Sequence, residues 1–348
     1  MNWTHTEQFL ETSRAAGRFT TYAVRVINGR DTATFTSPDA NADTLFDIAS
    51  MGKVLVTATL ILRAVGTGQL HLDDPIAQYL DTPPDKSSIT IRQLLTHTSG
   101  IVRILVPPTV AAGGSRAVAA HVLAHPLAFA PGTRVQYSCT GYLLLGYIAE
   151  QIFGAPLDAL FARCIRDPLG LTRSKFCASL TEPNTAVSYR WADPAGCRYD
   201  DEIVRVLGGV AGNGGSFWSL GDITRYAAAV RDRSPLLYAP ECYALAERDA
   251  TPPPMSVGRG LGWLVVDDRY RQTGRLFPAG SFGHCGHTGT SIFLSRRADR
   301  TVIALTNATR CLNAKNHFAG YDYGQIESMR AELHNAIAED VKNFIDNR

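Results

Sequence analysis

The spacing of apolar and polar positions changes several times along the chain, and each change predicts an element. Residues 1–17 are polar and mixed in charge and can form a surface helix. Two segments rich in β-branched and aromatic side chains follow, 20–27 and 32–36, and the turn signal Asn28-Gly29 between them predicts a hairpin. Residues 50–65 are apolar on nearly every side, as a helix is only when protein surrounds it, and Gly66 and Gly68 end the run. Its apolar part, 54–65, is interrupted by Arg63 and is shorter than the roughly 20 residues that cross a bilayer, so it reads as a buried helix. From about 73 to about 232 the chain reads as short helices broken by Pro and Gly, among them 91–95, 116–124 and 141–153. Strand signals return at 262–267, 291–295 and 301–307, and an amphipathic helix over 325–345 closes the chain. Strands at both ends with helices between predict one sheet built from both termini. There is no internal repeat, and the Gly-rich 208–215 and Pro252 to Pro254 are too short to link separate domains.

Composition narrows the function more than the fold. With 34 basic and 32 acidic residues in 348, the chain has no basic field to hold nucleic acid or anionic lipid, which leaves a small molecule or a peptide as the expected partner. The oligomeric state is not specified by these features. The N-terminus lacks the basic start and apolar run of a secretion signal. Seven scattered cysteines (Cys139, Cys164, Cys177, Cys197, Cys242, Cys285, Cys311) form no CxxC pair, so reduced thiols and a cytoplasmic location are expected.

Three short segments can carry chemistry. A serine hydroxyl needs a base at fixed spacing to become a nucleophile, and Ser50-Met51-Gly52-Lys53 supplies one: three residues apart on a helix, the two side chains share a face. Dry surroundings are expected to lower the pKa of Lys53 so that it accepts the serine proton, and the helix start favours a developing oxyanion. A helix cap beside a snorkelling lysine fits the same four residues. Tyr137-Ser138-Cys139, ahead of an apolar helix, places a phenol where it can relay protons or simply pack in the core. Gly283-His284-Cys285-Gly286-His287-Thr288-Gly289-Thr290, just before a strand, lets a substrate approach the backbone or makes a tight turn. A metal site at His284, Cys285 and His287 is disfavoured, because in a strand His284 points away from the other two. No serine has the Gly-x-Ser-x-Gly setting of an α/β-hydrolase.

Together these segments resemble the serine β-lactamase and penicillin-binding-protein superfamily, especially its class C-like branch of esterases, D-peptidases and acyltransferases. Supporting stretches are Phe46-Asp47-Ile48-Ala49-Ser50, Gly68 to Pro75, Ile91 to Gly100 with its His97-Thr98-Ser99-Gly100, and Gly260-Leu261-Gly262-Trp263. The resemblance implies an α/β (α+β) fold in one domain: an antiparallel sheet flanked by helices in about 1–62 and 233–348, and a mostly helical subdomain in about 63–232. It implies a cofactor-free, metal-free serine hydrolase or acyltransferase in which Ser50 is acylated, Lys53 takes its proton and Tyr137 passes a proton to the leaving group. The segment Leu207 to Gly215 would border the cleft. In the register chosen, His284, Cys285 and Gly286 fill the Lys/His-Thr-Gly motif, with His284 as its cation, and the His287 N–H is the second oxyanion donor beside that of Ser50.

Two cysteines depart from the pattern. Cys139 stands where a carboxamide holds the substrate amide, and Cys285 stands for threonine. With His284 in place of lysine, a permanently charged clamp for a substrate carboxylate is missing. Esters, thioesters or neutral amides are therefore expected ahead of β-lactams. If both cysteines face the cleft they could approach each other and respond to oxidants. A catalytically silent member of the fold that binds a peptide or partner is the alternative.

Overall fold

The computed structural model describes residues 1–176, 178–179, 181–188, 201–251, 258–268, 270, 272–311 and 323–346. Cys177, Cys197 and the loop Pro252 to Pro254 lie outside these residues. Among them, β1 (Tyr22–Asn28), β2 (Asp31–Thr36), β6 (Leu264–Val265), β7 (Phe282–Cys285), β8 (Ser291–Ser295) and β9 (Arg300–Thr306) form one antiparallel sheet in the order β2-β1-β9-β8-β7-β6. The hairpin closes at Asn28↔Asp31, so its two loop residues are Gly29 and Arg30 rather than the expected Asn28-Gly29. Gly29 takes the left-handed conformation, φ +60°, that a tight turn requires.

The central strands are apolar at almost every position because both faces of the sheet are covered. Side chains alternate across a strand. Val24, Val302, Ala304 and Phe293 accordingly pack beneath the N-terminal helix (Thr4–Ala15) and the C-terminal helix (Gly324–Asp346). Ala23, Ile303, Leu305, Ile292 and Leu294 face the larger core, which contains the run Ala49–Gly66. This is the run expected to be interior, and every residue from Met51 to Leu62 is buried. It begins as a 3₁₀ turn (Ala49–Met51), continues as a π-type helix (Lys53–Ala58) and ends as an α-helix (Thr59–Gly66).

Three details depart from the sequence expectations. The strand expected over 262–267 pairs only at Leu264–Val265. The helix expected from 141 starts at Cys139, where Ser138 caps it by accepting the Gly141 N–H at 3.0 Å. A second sheet, β3 (Leu45–Asp47), β5 (Ser216–Ser219) and β4 (Lys175–Phe176), was not foreseen, since strands of two to four residues carry too little periodicity to read. This small sheet matters, because β3 runs directly into Ser50.

Candidate active site

Ser50 sits on a sharp turn. Between β3 and the buried helix, Ala49 adopts φ +47°, a region costly for any residue with a Cβ, and the Asp47 carboxylate accepts the Ala49 N–H at 2.8 Å to hold the bend. Thr288 and Thr290 donate to the carbonyls of Asp47 and Ile48 at 2.6 and 3.2 Å, pinning the β7–β8 turn to the same segment. A Cβ on Gly286 would lie 2.3 Å from the Ile48 carbonyl oxygen, so only glycine permits this approach. Arg330, fully buried on the C-terminal helix, donates to the Gly286 carbonyl and fixes the turn from behind.

One turn after Ser50, the enclosed Lys53 amine donates to Ser50 Oγ at 3.0 Å and to the Asn213 carbonyl at 2.8 Å. Asn213 belongs to the Gly-rich loop, which packs closely on the helix at Gly52: a Cβ there would lie 3.4 Å from Gly214 Cα and 3.2 Å from Ser216 Oγ at the start of the following strand. The Tyr137 ring centroid is 5.1 Å from Lys53 Nζ, and the phenol interacts with both Ser50 and Lys53. Tyr137 is held by His97, whose Nδ1 accepts the Ser138 N–H at 3.1 Å, whose carbonyl accepts the Gln136 N–H at 2.9 Å, and whose ring lies 4.5 Å from that of Tyr137.

The charge balance corrects two expectations. Burial acts most strongly against the Lys53 ammonium, but its interactions with Cys139, with the hydrogen-bonded Tyr137 and with Asp201 together outweigh it, and its pKa is raised rather than lowered. Tyr137 keeps 39% of its surface open to the cleft, yet the loss of water around its hydroxyl raises its pKa against the pull of Lys53, so the phenol keeps its proton at neutral pH. His284 is not a cation: burial and then the positive charges of Arg259 and Lys53 drive its pKa well below the usual histidine value.

Ser50, Tyr137, Cys139, His284, Cys285 and His287 all line one cleft of about 890 Å³. His284 is buried with its ring 6.4 Å from that of Tyr137, whereas His287 is exposed at the rim and stacks on Tyr323 at 5.8 Å. Cys139 and Cys285 are half-buried, unbridged thiols, the latter 3.4 Å from the Tyr270 hydroxyl.

A family profile described as Beta-lactamase matches residues 6–317. The chain belongs to that family. It is a serine hydrolase of the β-lactamase and penicillin-binding-protein superfamily. Among its relatives, an Escherichia coli protein provisionally named as a D-alanyl-D-alanine carboxypeptidase is 29% identical over 77% of this chain and 70% of its own. Esterase EstB of Burkholderia gladioli is 29% identical over 76% of this chain and 78% of its own. The fold is shared with EstCE1, described as a hydrolase with promiscuous acyltransferase activity: TM-score 0.74, 20% identity, 95% of this chain and 98% of that one.

Several participants were not singled out from the sequence of this β-lactamase-family chain. The Asn213 carbonyl acts through backbone, which residue type does not disclose, although its Gly-rich loop was expected at the cleft. His97 lies in a segment that supported the resemblance, but its grip on residues 136–138 depends on its left-handed backbone, φ +59°. Arg259, also on the cleft wall, gave no signal beyond its glycine neighbours.

Proposed function

We propose that this chain transfers acyl groups through a covalent ester on Ser50, acting on an ester, thioester or amide substrate. The observation that carries the reading is the enclosed Lys53 amine 3.0 Å from Ser50 Oγ, anchored from its other side by Asn213. In the form of the site that has lost one proton, Lys53 or the Tyr137 phenolate beside it accepts the hydroxyl proton as Ser50 Oγ attacks the carbonyl carbon. The oxyanion is received by the N–H groups of Ser50 and His287. Collapse expels the alcohol, thiol or amine, which takes its proton through Tyr137, and water or an acceptor alcohol then releases the acyl group. Cys285, at the end of β7 on the cleft wall, borders the path of the acyl chain.

Esters are favoured over β-lactams because Cys139, facing Lys53, offers a weak donor where an amide would grip the substrate. The likeness to Esterase EstB supports an ester chemistry. The test is a screen of p-nitrophenyl esters, D-amino-acid amides and a chromogenic cephalosporin, with Ser50→Ala as control. Ester turnover that requires Ser50 is expected, and cephalosporin turnover exceeding it would reverse the preference. No turnover of any class, together with no labelling of Ser50 by a fluorophosphonate, would favour a silent binding protein.

A further inference from the structure

Arg259 has a fixed backbone and an uncommitted head. Its N–H donates to the Asp249 carboxylate at 3.1 Å, and its carbonyl accepts the Ala250 N–H at 2.7 Å. Gly260 follows it at a point where a Cβ would lie 1.9 Å from the Ala246 carbonyl oxygen, so the strand is pressed against its neighbour and the arginine side chain is directed to the cleft. The guanidinium carbon is 5.8 Å from the centroid of the Tyr137 ring, the same ring that Lys53 approaches. Its Nε is buried without a hydrogen-bond partner, and among the described residues no carboxylate pairs with the guanidinium.

A half-buried guanidinium with no counter-charge is costly, and its planar fork of donors matches the paired oxygens of an anion such as a carboxylate, the one most simply carried by a small ester or amide. The neighbouring imidazoles do not compete for an anion: His97 and His284 are held neutral, first by burial and then by the charge of Arg259 itself. The carboxylates that line the cleft, Asp201, Glu202 and Glu327 among them, would repel an anion from their own positions.

We propose that Arg259 is the anion-binding residue of this cleft and that the substrates of the enzyme carry a carboxylate near the scissile ester or amide bond. The proposal rests on the acyl-transfer reading above and supplies the permanent cation that His284 does not. It also narrows the substrate class from neutral esters to acidic ones, such as monoesters of dicarboxylic acids.

Two matched pairs test it, placing the charge on either side of the ester: mono-p-nitrophenyl glutarate against p-nitrophenyl valerate, and 3-carboxyphenyl butyrate against phenyl butyrate. The purified full chain should prefer the acidic member of at least one pair by about tenfold or more in kcat/KM, mainly through KM. Arg259→Gln should lower that ratio at least tenfold, and Arg259→Lys should restore part of it. Equal rates within both pairs, or an Arg259→Gln variant that slows both members by the same factor, would overturn the assignment while leaving the acyl-transfer reading intact. Calorimetry separates the two ideas: Ser50→Ala protein should bind glutaric acid monoanilide more tightly than valeranilide, and Arg259→Gln should remove the difference. Selective binding without ester turnover in the wild type would retain the clamp and end the hydrolase reading, whereas equal binding of the two anilides would end the clamp.

Discussion

At Lys53, burial and the neighbouring polar and acidic groups pull in opposite directions, and the neighbours prevail. The amine is raised above the ordinary lysine value and the Tyr137 phenol is raised by burial, so at neutral pH the pair holds one proton too many to accept another. Activity should therefore climb as pH rises from about 7 through 9, because each step removes that surplus proton. The check is a pH profile of kcat/KM on a p-nitrophenyl ester; a profile already flat at pH 7 would contradict the charge balance. Ser50→Ala, Lys53→Ala and Tyr137→Phe should each cost roughly 10³-fold or more in kcat without unfolding, since members of one proton path fail together. Rate measurements and circular dichroism on the same preparations check both halves of that statement.

At the scale of elements, the site depends on two close backbone approaches at glycines and on one threonine tie. Gly286 meets the β3 exit, Gly52 meets the Gly-rich loop, and the β7–β8 turn is tied to Ile48 by Thr290. Gly286→Ala should destabilise the fold by about 1–3 kcal/mol, as overpacking does, and should depress kcat more than KM because it displaces the proposed oxyanion donor. A denaturant midpoint and steady-state kinetics on one sample measure both; wild-type values in each would show that the turn is not tightly set. The long buried helix, the hairpin and the C-terminal helix were legible in the sequence, because each extends over enough residues for its period to stand out. The short strands β3, β4 and β5 were not, and neither was the reach of Arg259, since tertiary pairing rather than local pattern decides where they lie.

Across the whole molecule, both chain ends join in one sheet, and the C-terminal helix supports the cleft through Arg330. The alternation of Val24 and Val302 to one face with Ala23 and Ile303 to the other explains why strand signals at the two ends were enough to foresee that union. Buried histidines link this architecture to pH. His334, on the C-terminal helix, is pushed by burial to about 4, and His97 and His284 are also well below their ordinary value. Above about pH 7.5, a unit beyond the ordinary histidine value, folded and unfolded chains bind the same number of protons at these sites. As pH falls from about 6.5 to 4 the unfolded chain gains protons that the fold excludes, so stability falls, by roughly 3 kcal/mol for His334 alone at pH 4. The melting temperature should fall over this window, less steeply in His334→Gln; a Tm constant from pH 7 to 4.5 would refute the linkage.

The nucleophile can be tested directly by peptide mass spectrometry after brief exposure to an alkyl fluorophosphonate. The adduct is expected on the peptide containing Ser50, absent in Ser50→Ala and formed at least a hundredfold more slowly in Lys53→Ala. An adduct on another residue, or labelling of Lys53→Ala at the wild-type rate, would contradict the assignment of Ser50 and Lys53 as nucleophile and base.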